Sequence, residues 1–289
     1  MSRIKTTVGP ADLEGGCMAE NLPPGLDLSV PSAARMYDYF LGGKDNFEVD
    51  RERAEQVIKG FPEVRDVARA NRAFLGAAVR TVAEAGVAQF VDLGAGLPTQ
   101  GHVHEVARPI RPDTRVVYVD IDPVACVHAR ALLPDEATAV VNADIRRPQA
   151  VLDDPAVGRL IDWERPVALL LVSVLQFIVD EDDEPGRMLG VSSMLGAFTR
   201  RMVPGSHLVL SVASGAEDFD VDSLADAYKG SGTGSGGLRS AQQIEKFFTG
   251  SGFELLEPGL VDVHDWPVPA PGPRAAGPIR LLGGVGRKP

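Results

Sequence analysis

The chain has 289 residues, 44% hydrophobic and 24% charged, the mixture of a soluble globular protein rather than a disordered one. Its 29 basic and 40 acidic residues leave a formal charge of −11, which sets the surface against nucleic-acid backbones. Two cysteines, Cys17 and Cys126, are too few for a disulfide framework. No Cys/His cluster has metal spacing, no apolar run nears the roughly 18 residues of a membrane helix, and residues 1–21 lack the apolar core of a signal peptide, so a cytoplasmic protein without metal, membrane or nucleic-acid partner is expected.

Residues 1–28 alternate Gly, Pro and charge without apolar periodicity and read as a loose tail. Three helices follow. In 33–41, Met36, Tyr37, Phe40 and Leu41 fall at helical spacing before Gly42 and Gly43 stop the run. The second spans 49–59, and the third, 63–85, carries Val67, Phe74, Leu75, Ala78 and Val82 on one face. After Gly86, short apolar runs alternate with amphipathic stretches, the pattern of a parallel sheet with crossover helices. Strands are expected at 89–93, 115–119, 137–142, 167–174 and 207–212, with helices at 102–108, 123–132, 149–152 and 184–202. A helix at 239–249, a strand at 253–263 and a last strand at 279–286 complete the chain. The Pro-rich piece 267–278 is too short for a crossover, so the last strand is expected to be antiparallel. The Gly- and Ser-rich stretch 229–237 reads as a flexible loop. The fold class is therefore α/β: a Rossmann-like, doubly wound, seven-stranded sheet with its last strand antiparallel. In this division 1–28 is the tail, 29–87 a helical extension and 88–289 the core.

The segment that carries chemistry runs from Phe90 to Thr99. An apolar strand enters a glycine turn and then a helix, the place where a doubly wound sheet binds a nucleotide-like ligand. Gly94 and Gly96 let backbone approach such a ligand closely. Asp120 ends the next strand, 24 positions past Gly96, a spacing suited to a carboxylate accepting hydrogen bonds from ribose hydroxyls. A dinucleotide site wants a third glycine where Thr99 stands, so that pyrophosphate can rest on the helix. Asp92 would repel that pyrophosphate, yet it suits S-adenosylmethionine, which carries a sulfonium and an ammonium and no phosphate. The electrostatics favour the methyl donor over a dinucleotide oxidoreductase.

These residues resemble the nucleotide site of class I S-adenosylmethionine-dependent methyltransferases. More narrowly, the chain resembles the actinobacterial S-adenosyl methyltransferase family, formerly a domain of unknown function. The matching stretches are 31–47, 71–75, 92–99, 104–106, 117–123 and 258–261. The resemblance implies S-adenosylmethionine as cofactor, with Asp92, Gly94, Ala95, Gly96, Asp120, Ile121, Asp144, Ile145, Ser173, Arg35 and Lys44 as donor-site residues. It implies no histidine base after the fourth or fifth strand, because Gln176 and Val212 stand where relatives carry His.

Plainer readings stand beside the functional ones. Asp92 is also suited to bonding a neighbouring amide, Asp122 before Pro123 to capping a helix, and Asp144 to an ordinary turn. Lys44, Asp45 and Asn46 suit either a shaped loop or a helix end with solvated charges. Arg35 and Tyr37 suit either a lid over the donor or plain packing. His104, Tyr37 and Gln176 are the catalytic candidates, His104 because it starts the helix after the glycine turn. The expected function is methyl transfer to a small-molecule acceptor through an O, N or C nucleophile, which needs alignment and water exclusion more than a strong base. The alternatives are a non-catalytic sensor of the same nucleotide and a dinucleotide oxidoreductase.

Overall fold

A computed structural model describes residues 28–97, 101–133, 135–182, 188–215, 237–268, 274, 277 and 279–289. Residues 1–27 of the expected tail, Pro98 and Thr99 of the glycine segment, and most of the loop 229–237 lie outside them. Three helices come first: α1 (Ala33–Phe40), α2 (Glu48–Gly60) and α3 (Val64–Glu84). The strands β1 (Gln89–Leu93), β2 (Arg115–Asp120), β3 (Thr138–Asn142), β4 (Ala168–Val172) and β5 (His207–Gly215) then alternate with α4 (Val103–Ala107), α5 (Pro123–Leu132), α6 (Pro148–Leu152), α7 (Pro155–Leu160) and α8 (Val191–Thr199). Last come α9 (Ala241–Thr249), β6 (Glu254–Leu255), β7 (Val261–Asp262) and β8 (Ile279–Arg287).

The described strands form one sheet in the order β3-β2-β1-β4-β5-β8-β6, with β7 also on β8. β1 to β5 pair in parallel, and β8 runs antiparallel to β5, β6 and β7. The sheet is buried on both faces, which is why its strands read as near-continuous apolar runs. Phe90, Val116, Tyr118 and Leu170 face one core layer with α3, while Val91, Leu93, Val117, Val119 and Leu169 face the other with α8 and α9. Met36, Phe40, Ala54 and Val57 belong to the first layer, so α1 and α2 share the core of the sheet. Among the described residues no helix is long and apolar enough to cross a membrane.

Several expectations change in detail. The strand expected over 253–263 is two short strands, β6 and β7, separated at 256–260, where Gly259 turns at φ +89°. The sheet therefore counts eight strands rather than seven. α7 was not expected; Asp154 caps it by accepting the Ala156 N–H at 2.8 Å, with Pro155 at its first position. α9 begins two residues late because Ser240 and Gln243 form a capping box. Arg239 instead turns inward, donating to the carbonyls of Leu175 and Ile178 and to Asp180.

Candidate active site

The parallel strands β1, β2 and β4 end on one edge, and the order reverses between β1 and β4, which opens a crevice there. The β1 turn is pinned by two amides, Gly94 and Ala95, that both donate to the Val119 carbonyl at 2.7 and 3.1 Å. Gly94 and Gly96 have φ +76° and +67°, a region L-residues disfavour. A Cβ at Gly94 would stand 2.5 Å from Val174 Cγ2, so the turn presses against the chain leaving β4. A Cβ at Gly96 would meet nothing nearer than Ala34 Cβ at 4.0 Å, which places α1 over the turn with space between.

Asp92 sits just inside this turn. Its side chain is buried at 6% exposure, and it has no hydrogen-bond partner among the described residues. Burial raises its carboxyl to a pKa of about 7, with nearby Arg72 opposing the shift and Asp120 adding to it. A narrow cleft, partly open to solvent, lies against it; Arg72 and Leu75 of α3, Gly96, His102 and Tyr118 line the same cleft. Arg72 was not singled out in the sequence. Its signal was position: it follows Asn71 inside one of the stretches shared with the family.

Asp120 is more enclosed than a strand-end carboxylate needs to be, at 8% exposure. It accepts the Gly96 N–H at 2.7 Å and the Asp122 N–H at 2.8 Å, so it ties the glycine turn to the β2 exit. Burial lifts its pKa to about 6, and those two amides hold it down. Asp122 caps α5, as its place before Pro123 suggests, by accepting the Val124 N–H at 2.8 Å. Ile121 between them is 45% exposed, an apolar surface at the crevice rim.

The remaining candidates divide. Asp144 is gripped by the Arg146 guanidinium, at 2.7 Å from Nη2; burial alone would raise its pKa, and the Arg146 hydrogen bonds more than offset this and lower it. The Ile145 side chain packs in the second core layer, leaving only its backbone to face a ligand. Arg35, expected at the donor, is instead a buried clamp. Its Nε donates to Asp50 Oδ2 at 2.8 Å, Nη1 to Asp122 Oδ2 at 3.4 Å and Nη2 to the Val30 carbonyl at 2.6 Å. Lys44 is exposed on the 42–46 loop. Ser173 leaves β4 at φ +59°, strained for a non-glycine residue.

Two catalytic candidates are spoken for. The Tyr37 hydroxyl accepts from Asn71 Nδ2 and donates to the Ala68 carbonyl, each at 3.0 Å, and burial raises its pKa. Tyr118 Oη accepts the His104 N–H at 3.1 Å and lies 2.8 Å from His104 Nδ1. This contact occupies Nδ1 and leaves Nε2 for any other partner. Burial, with His102 and Arg108 nearby, lowers the pKa of His104. Gln176 remains, donating from Nε2 to Ser173 Oγ at 2.7 Å.

The sheet order and the antiparallel β8 define a class I methyltransferase fold. Residues 19–289 match the family model described as S-adenosyl methyltransferase. A protein of Thermobifida fusca, provisionally described as a methyltransferase, is 40% identical, with 92% of this chain and 98% of that one covered and a TM-score of 0.79. A family protein of Streptomyces avermitilis is 35% identical, over 91% and 99% of the two chains, with a TM-score of 0.80. No curated protein matches at a significant level. The chain belongs to the S-adenosyl methyltransferase family, and S-adenosylmethionine is its methyl donor.

The crevice fits that donor on its own chemistry. A buried carboxyl without a hydrogen-bond partner among the described residues faces a cleft beside a turn of left-handed glycines, and the donor is a cation without phosphate. When bound, it supplies a methyl group on a positively charged sulfur, a leaving group that needs no proton.

Proposed function

We propose that the chain methylates a small-molecule acceptor and that each donor-site residue has a separate task. Asp92 receives the ammonium of the donor's amino-acid end, and Arg72 across the same cleft receives its carboxylate. Asp120 has lone pairs left for ribose hydroxyls, while the exposed Ile121 offers a face to the adenine. Asp144 and the Ile145 backbone bound the adenine on the β3 side. The helical segment 29–87 covers the crevice, since α1 lies over Gly96 and Arg35 reaches Asp122. With no strong base at the crevice among the described residues, the protein aligns two reactants and keeps water out. The acidic surface favours a small acceptor over a nucleic acid. The buried carboxyl of Asp92, without a hydrogen-bond partner among the described residues and with Arg72 on the same cleft, carries this reading.

S-adenosylmethionine or its demethylated product should raise the melting temperature, while NAD and NADP should leave it unchanged. At 100 times the dissociation constant, binding adds about 2.7 kcal/mol, several degrees for a chain of this size. Stabilisation by NAD alone would overturn the reading. Formation of S-adenosylhomocysteine when an acceptor is supplied separates an enzyme from a sensor.

Asp92 also gives a pH signature. Its folded pKa, about 7, lies above the ordinary 3.8, so its contribution to stability is full below pH 3.8 and is lost as pH rises to about 7. Asp120, raised to about 6, acts in the same direction; buried His207, lowered to about 4, acts oppositely, costing stability as pH falls below 6.5. Asp92→Asn removes only the first of these. The variant should melt with the parent near pH 4 and progressively above it up to pH 7, with a constant gap beyond. Donor affinity should climb towards pH 7 in the parent, because a cation binds the ionised carboxylate, and should lose that rise in Asp92→Asn. Parallel melting and binding profiles in the two proteins would contradict this role.

A further inference from the structure

We propose that the side-chain oxygen of Gln176 recognises the acceptor, taking a hydrogen bond from an N–H group on the nitrogen to be methylated. This rests on the methyl-transfer reading and narrows the acceptor class. The nucleophile is then a neutral amine: its lone pair bonds to the methyl carbon as the bond to sulfur breaks, S-adenosylhomocysteine leaves, and the ammonium so formed gives its proton to solvent on release. Glutamine accepts a hydrogen bond without removing the proton, and its carbonyl dipole repels an anion.

Gln176 Oε1 is shut from water and has no hydrogen-bond partner among the described residues. Folded proteins keep few such orphaned acceptors, and each needs a reason. The group cannot swing away to find a partner, because Gln176 Nε2 donates to Ser173 Oγ at 2.7 Å and its backbone carbonyl accepts the Gly237 N–H at 2.8 Å. Ser173 is itself held in its strained conformation by neighbours that over-determine it. Its N–H lies 2.9 Å from both the carbonyl and the Oγ of Ser211. Ser211, fully buried in β5, donates from Oγ to Asn71 Oδ1 at 2.7 Å, and Asn71 Nδ2 donates to Tyr37 Oη at 3.0 Å. A continuous polar chain thus runs from α1 through α3 and β5 to the β4 exit.

The same exit touches the donor turn. Val174, two residues before Gln176, is the side chain packed on Gly94. The corner that carries the orphaned oxygen is therefore packed, through Val174, on the turn of the methyl donor. Asn71 and Ser211 are positioning residues in this arrangement: they aim the corner and touch neither reactant.

The experiment saturates the full chain with S-adenosylhomocysteine and measures binding of matched probes by ligand-detected NMR. The pair is aniline and N,N-dimethylaniline. The parent should favour aniline, the hydrogen-bearing member, by about tenfold, the value of one good hydrogen bond. Gln176→Leu, similar in bulk, should bind both members alike, and Gln176→Glu should retain the preference. Asn71→Ala should shrink the preference while S-adenosylhomocysteine affinity stays, a split that a purely structural role would not produce. No discrimination by the parent, or discrimination that survives in Gln176→Leu, overturns the assignment. S-adenosylhomocysteine titrated into the same samples separates the two levels: a parent that fails to bind it overturns the methyl-donor reading itself.

Discussion

Gly94→Ala should lower the melting temperature by roughly 6–12 °C and abolish measurable donor binding. The backbone penalty of a left-handed L-residue is about 1–2 kcal/mol, and overpacking adds about 1–3 kcal/mol. At about 2–4 °C per kcal/mol for a chain of this size, some 3 kcal/mol gives the shift. The turn has no easy retreat, because its two amides share the Val119 carbonyl and the new methyl would stand 2.5 Å from Val174 Cγ2. Gly96→Ala makes the contrast. Its Cβ would have open space, so it should cost only the backbone penalty while still obstructing the donor. Calorimetric melting and titration with S-adenosylhomocysteine read both effects; a Gly94→Ala protein that melts with the parent would refute the packing argument.

Arg35→Ala should cost about 3–5 kcal/mol, the usual effect of leaving a buried charge without its partner. Asp50 is fully buried and Asp122 nearly so, and Arg35 is the cation that both share. Asp50 keeps the N–H groups of Ser32 and Phe47, which places the loss towards the lower end of that range. The site should suffer with the fold. Arg35 links α1 to Asp122, Asp122 links to Asp120 through its amide, and Asp120 holds Gly96. We expect limited proteolysis to open 28–60 first and donor affinity to fall about tenfold, with Arg35→Lys intermediate because it keeps the charge and loses the fork. Proteolysis and affinity unchanged from the parent would detach the N-terminal helices from the site.

The strand–turn–helix from Phe90 to Gly96 was legible because its signal is local. Apolar runs of strand length, a carboxylate, two glycines and a second carboxylate one strand later stand in a short window, and the parallel sheet followed from the alternation. Gly259, by contrast, interrupts an apolar run that reads as one strand, and it divides β6 from β7. Arg72 carries no pattern of its own; only the docking of α3 on the sheet brings it to Asp92.

The sequence by itself determined the α/β class, the antiparallel end, the place of the nucleotide crevice and, through Asp92 and the absent third glycine, a cationic donor rather than a dinucleotide. Those conclusions need only spacing and charge within one or two elements. The tertiary structure decided the partners. Arg35 meets Asp122 across 87 positions and Ser211 meets Asn71 across 140, so which side chains are clamps and which are left unsatisfied depends on register and docking. It occupied His104 Nδ1 by setting Tyr118 against it, and it left Gln176 with an acceptor oxygen that nothing in the described chain fills. The physical reason is that a polar group's role follows from how its hydrogen-bonding capacity is spent on burial, and that accounting closes only when distant segments have packed together.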